Sequence, residues 1–160
     1  MGNLKRILGA VVALIVLPAA GYGQEAYLEL MRQDIKTQKV AIVTQAMELS
    51  DEQAEAFWPV YREYQYELDK IGDERIALIK DYAEHFEMMT DEKAGELAGW
   101  SFRLQEQRLQ LRKRFHAQFE QAVGAIAAAK FMQVDNALTM LLDLQIASSL
   151  PLVEAPPQQN

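Results

Sequence analysis

The sequence predicts an all-α fold built on a long antiparallel helical hairpin, with further helices flanking it at the N- and C-terminal ends. Three observations predict it. The 160-residue chain contains five prolines and eight glycines, and most of them lie near its two ends. Between Gln24 and Leu150 only Pro59, Gly72, Gly95, Gly99 and Gly124 remain, too few breakers for the tight turns of a sheet protein. The apolar residues of that stretch recur at helical spacing, and helix-start signals stand at Ser50 and Thr90.

Residues 1–23 read as a secretory signal peptide. Lys5 and Arg6 are basic, Ile7 to Leu17 are apolar or glycine, and Pro18 and small residues lead to Gly21-Tyr22-Gly23. Cleavage is expected after Gly23. The apolar run is shorter than the about 20 residues a bilayer span needs, so no stable membrane insertion is expected after cleavage. The alternative is an uncleaved N-terminal anchor. Loss of Lys5 and Arg6 leaves 14 basic and 23 acidic residues, a net charge near -9. That balance disfavours nucleic acid and anionic membranes.

One helical domain, residues 24–150, follows, and a disordered tail over 151–160. Gln24 to Glu48 forms a first helix, carrying Leu28, Met31, Ile35, Ile42, Ala46 and Leu49 at helical spacing. Ser50 then caps a second helix, and Gln53 three residues later completes a capping box. Asp51 and Glu52 suit the positive end of the helix dipole. This helix is expected to run to about Met88. Its stripe is Phe57, Tyr61, Tyr64, Leu68, Ile71, Leu78, Tyr82, Phe86 and Met89, at steps of three and four apart from a gap at Arg75, which is coiled-coil spacing. Pro59 removes one backbone donor and should bend the helix.

Thr90 caps a third helix, expected to end near Ala122, with Leu97, Trp100, Leu104, Leu111, Phe115, Phe119 and Ala122 as its stripe. The short link at Met89-Thr90 makes the second and third helices antiparallel neighbours. Arg75 then falls opposite Gln105 and Glu106. An Arg75–Glu106 ion pair is expected, with snorkelling of Arg75 to solvent as the alternative. Gly124 marks a break. A fourth helix, about Ala127 to Ser149, carries Phe131, Val134, Leu138, Leu141, Leu142 and Ile146 and stops at Pro151.

The absence of cysteine excludes disulfides, thiolate metal sites and a cysteine nucleophile. His85 and His116 are the only histidines, and no nucleophile motif surrounds either. A phosphate-binding loop and a dinucleotide fingerprint are also missing. The expectation is a protein without catalytic activity or cofactor. Glu84, His85 and Met88 are weak metal candidates: His85 and Met88 are three apart on one helix face, with donors that suit copper, nickel or zinc.

The aromatics and the charges point elsewhere. Tyr66 and Phe102 each lie about 200° from a seam neighbour two positions away, and Trp58 lies on the flank. They are either covered by the first and fourth helices or a second subunit, or they form an apolar surface that receives other proteins. Glu48 to Glu96 holds fifteen acids and five bases, whereas Leu97 to Val153 holds four acids and six bases. The basic cluster of Arg108, Arg112, Lys113 and Arg114 either complements the acidic arm or supplies charge to a binding patch. On the second reading Trp58, Tyr66 and Phe102 make protein contacts, with Arg108, Arg112 and Arg114 beside them.

Leu49-Ser50-xx-Gln53, after a signal peptide and opening a long helix, resembles the LTxxQ motif of the Spy/CpxP family of periplasmic helical proteins. Val123-Gly124-Ala125-Ile126-Ala127, before Lys130-Phe131, stands where the family has its second motif and keeps the turn but none of the polar residues. The resemblance covers about Ser50 to Phe131. It implies a bent helical hairpin that dimerises into a cradle, in the periplasm of a Gram-negative bacterium. It implies an ATP-independent chaperone or an envelope-stress modulator. The partners would be unfolded or envelope proteins, a sensor kinase, and a second copy in a homodimer. A related branch binds zinc, nickel or cobalt, which makes a metal-responsive sensor one alternative. A structural helical oligomer that binds no client is the other.

Overall fold

The computed structural model describes residues 37–153. The chain divides into two units, residues 1–40 and 41–160. Of the first, residues 37–40 are described and are helical. The expected signal peptide, the start of the expected first helix and most of the C-terminal tail lie outside the described residues.

A helical segment over residues 37–47, here α1, precedes three longer helices. These are α2 (Asp51–His85), α3 (Asp91–Val123) and α4 (Ala125–Ser149). No strand occurs among the described residues, and no described helix is long and apolar enough to cross a membrane. The fold is all-α, and α2 and α3 form the hairpin.

The turns follow from local chemistry. Glu48 closes α1 at a positive φ of 50°, uncommon for a residue with a side chain. The Lys130 ammonium reaches both the Met47 carbonyl and the Glu48 carboxylate at 3.3 Å, placing a cation at the negative end of α1. At the start of α2 the capping box forms in both directions: the Gln53 amide donates to Ser50 Oγ and the Ser50 amide to Gln53 Oε1, each at 3.2 Å. Leu49, next to the cap, packs against the core. Two orphan donors are thereby satisfied.

α2 is continuous through the exposed Pro59. At 35 residues it is about 52 Å long. It stops at His85, three residues earlier than expected, and Phe86–Met88 tighten into a 3₁₀ turn. Such tightening satisfies the last carbonyls of a helix with shorter-range bonds. The Thr90 hydroxyl accepts the Lys93 amide at 3.1 Å and starts α3. Gly124 joins α3 to α4 at φ 83°, ψ 161°, backbone that only glycine adopts without strain. Its own N–H bonds the Glu120 carbonyl, and its carbonyl takes the Ala128 N–H. One residue therefore serves both helix ends, and α4 starts two residues earlier than expected.

The core is aromatic and lies toward the open end of the hairpin. Phe57, Tyr61 and Tyr64 of α2 meet Phe115 and Phe119 of α3 and Phe131 of α4, with Val43 and Met47 of α1 beside them. Phe119 and Phe131 approach to 4.4 Å between ring centres, and Tyr64 lies 5.4 Å from Phe115. Most ring pairs are tilted or edge-on, as the ring quadrupole favours. Toward the turn the packing thins to Met89, Leu97 and Leu104.

Candidate functional site

α4 lies over one side of the hairpin, and charged groups hold it there. Asp135 is 1 % exposed. It sits on the inward face between Phe131 and Leu138. The Tyr64 hydroxyl donates to its Oδ2 at 2.7 Å, and Arg112 Nε lies 3.8 Å from the same oxygen. Arg112 also donates to Asn136 Oδ1 at 3.3 Å. One turn earlier on α3, Arg108 reaches Asp143 at 3.5 Å, and Arg75 of α2 bonds the other oxygen of that carboxylate. The Tyr82 hydroxyl then donates to the Pro151 carbonyl at 2.7 Å, tying down the first residue of the expected tail.

Burial and the Asp135 charge push the Tyr64 hydroxyl far above the ordinary tyrosine range, with burial the larger cause; burial raises Tyr61 in the same way. Arg112 Nε is a buried donor without a hydrogen-bond acceptor, so this ladder of contacts is imperfectly matched at its buried end, while Arg75 and Asp143 at its other end stay partly exposed.

This arrangement corrects several expectations. Arg75 pairs with Asp143 of α4 rather than with Glu106, because α4 brings an acid to the gap in the seam. Arg108 and Arg112 turn onto α4 and are not open cations for a partner. Arg114 stays exposed, with its guanidinium 5.4 Å from the centre of the Phe115 ring. Trp58 is half-buried, packing edge-on against Phe57 and Tyr61 at 5.2 Å. It is a wall of the core. Leu141, expected on the apolar stripe of α4, is exposed.

Tyr66 and Phe102 are 64 % and 69 % exposed. Neither α1 nor α4 covers them. Tyr66 carries the Lys70 ammonium 4.3 Å above its ring, and Lys70 pairs with Glu67 at 2.8 Å. Beside this cluster, on the side of the hairpin away from α4, runs an open groove of about 360 Å³. Ile71 and Leu111 line it, with Glu67, Lys70, Glu106 and Arg114 among its walls.

At the hairpin turn, ligand atoms of Asp81, Glu84 and His85 lie within 4.8 Å of one another. Glu84 and His85 thus have Asp81 as their neighbour, where the sequence suggested Met88; Met88 lies in the 3₁₀ turn and is exposed. The Asp81 carboxylate is already engaged by Lys93 Nζ at 2.7 Å and by His85 Nδ1 at 2.9 Å. The Lys93 hydrogen bond holds its pKa below the usual carboxylate value. A cation there would have to displace an ammonium. His116 lies 4.0 Å from Glu120 on one exposed flank of α3.

Asp135 is the residue that sequence reasoning passed over. It occupies a seam position of α4, three residues before Leu138 and four after Phe131, and an acid at such a position calls for buried partners. No family model matches the chain, and no curated protein or solved structure matches it.

Proposed function

We propose that this chain acts by binding other proteins, as an exported periplasmic helical protein of Spy/CpxP-like kind. The observation that carries the reading is the exposure of two large aromatic side chains, Tyr66 and Phe102, on outward faces of the hairpin. Such rings offer apolar contact at low entropic cost, and charged neighbours keep the surface soluble. Lys70 stands over the Tyr66 ring and pairs with Glu67, and Arg103 follows Phe102 in the chain. Apolar segments of unfolding or envelope proteins, including the exposed parts of a stress-sensing kinase, are the partners that fit. Binding needs no nucleotide, since shape and solvation supply the affinity.

The test is suppression of aggregation. A denatured client is diluted into buffer with the protein at stoichiometric amounts, and light scattering is followed. The native chain is expected to suppress scattering, and Tyr66→Ser with Phe102→Ser to lose most of that effect. Both side chains are exposed, so helical circular dichroism should be unchanged. A native chain that leaves the scattering curve as it was would overturn the reading.

A further inference from the structure

The two halves of α4 are held differently. The first half is anchored in the core by Ala128, Phe131 and Asp135, all buried. From residue 136 to the end of the helix no residue is buried. That outer half rests on half-buried Leu138, Leu142 and Ile146 and is fastened by polar contacts: the Arg75–Asp143–Arg108 bridge and the bond from Tyr82 to Pro151.

The arginines under it lack local partners. Neither Arg75, Arg108 nor Arg112 has an acid three or four residues away on its own helix, the spacing at which helical ion pairs form. Arg108 and Arg112 stand at that spacing from each other. Arg75 and Arg108 come from different helices and converge on the two oxygens of one carboxylate. Two guanidiniums so placed repel unless an anion lies between them, so the hairpin surface beneath α4 is shaped for a carboxylate. The ion pairs of these three arginines reach only two carboxylates, those of Asp135 and Asp143, and Arg112 Nε is left without an acceptor.

We propose that Arg75 and Arg108 form a carboxylate-binding site which Asp143 fills from within, and that an acidic segment of another protein, with two carboxylates one helical turn apart, displaces Asp143 and lifts the outer half of α4. The side chains of Arg75, Arg108 and Asp143 are 34 %, 25 % and 42 % exposed. Water and a competing carboxylate therefore reach them, and one carboxylate replaces another with the same charge-assisted bonds. A second carboxylate one turn on, about 6 Å away, falls at Arg112, whose other partner Asn136 belongs to the half that lifts. Asp143 acts as a tethered competitor: the site binds in proportion to the fraction of molecules in which it has left.

Calorimetric titration of the purified chain with an alanine-based helical peptide, carrying two glutamates four residues apart and no other charge, tests this. Asp143→Asn removes the competitor and should tighten binding about tenfold relative to the native chain. Arg75→Gln with Arg108→Gln, made in the Asp143→Asn chain, should abolish it, as should glutamine for both glutamates of the peptide. Helical circular dichroism checks that each variant is folded. Because the chain has no cysteine, spin labels at Gln105→Cys and Ser148→Cys report the lift directly, and their separation should lengthen when the peptide is added. The titration contains no aggregating client, so its result is independent of the scattering assay. Equal affinity of the native and Asp143→Asn chains, binding that survives loss of both arginines, or an unchanged label separation would each overturn the proposal. Inorganic phosphate that binds Asp143→Asn as tightly as the peptide would overturn the acidic segment and leave a small-anion site.

Discussion

Tyr64→Phe isolates one rung of the ladder that holds α4. The phenylalanine keeps the ring contacts with Phe115, Phe119 and Phe131, whose centres lie 5.4, 6.0 and 5.8 Å away. It loses only the hydroxyl that donates to Asp135 at 2.7 Å. A hydrogen bond to a charged group contributes about 1.5–3 kcal/mol. The upper half of that range applies, since Asp135 is 1 % exposed and water cannot replace the donor. Arg112 does not compensate: its Nε stands 3.8 Å away and lacks an acceptor. Tyr64→Phe is therefore expected to cost about 2–3 kcal/mol. Asp135→Ala strands the buried hydroxyl and takes the carboxylate away from Arg112, and should cost about 3–5 kcal/mol. The double variant should cost less than the two together, giving a coupling of about 1–3 kcal/mol between contacting residues. Urea unfolding followed by circular dichroism measures all three. A Tyr64→Phe cost below about 0.5 kcal/mol, within the range of ordinary surface substitutions, would refute the claim that the buried carboxylate depends on this donor.

Two further outcomes follow from the same structure. Gly124→Ala should cost about 1–3 kcal/mol, all of it backbone strain, because nothing lies within 4 Å of the added methyl group; a neutral change in urea unfolding would mean that the α3–α4 link relaxes. In alkaline titration followed by tyrosinate absorbance, Tyr61 and Tyr64 should resist ionisation in the folded protein, since burial and Asp135 raise both. Their folded values lie above the unfolded value of about 10, so their contribution to stability is complete below that pH and is lost as pH rises beyond it. Ionisation of every tyrosine near pH 10 with the helices intact would contradict the burial.

The helices were legible because their signals are local. Ser50 with Gln53, Thr90 with its acidic first turn, and Gly124 each mark a boundary through groups within four residues. The seam of Phe57, Tyr61 and Tyr64 could be read by counting threes and fours. The short turn made the two long helices antiparallel, and Phe57 meets Phe119 and Tyr64 meets Phe115 across them, but the one facing pair read from the turn, Arg75 with Glu106, does not form. What one chain of letters leaves open is which side of the hairpin the next helix covers. Arg75, Arg108 and Arg112 read as cations of the hairpin, yet their partners are acids 23 to 68 residues later in the chain. The cluster at His85 shows the same limit on a smaller scale. Its third member is Asp81 rather than Met88, because the helix tightens at Phe86.

The cost of burying Asp135 bears on why α4 faces as it does. A helix with apolar residues on both sides can dock by either, and the hydrophobic effect alone does not choose between them. Charges placed on one side do choose. Asp135 and Asp143 meet Arg112, Arg108 and Arg75 only if the Phe131 side is turned inward. Facing outward they would leave three half-buried arginines of the hairpin without acids. Desolvation removes much of the net stability that these pairs could add, and what they supply is orientation. The same orientation presents Met140 and Leu144 to solvent. The inward acids therefore specify which face of α4 is buried, and replacing Asp135 and Asp143 together should loosen the docking of α4 on the hairpin as well as lower stability, because the helix then loses its reason to prefer one face.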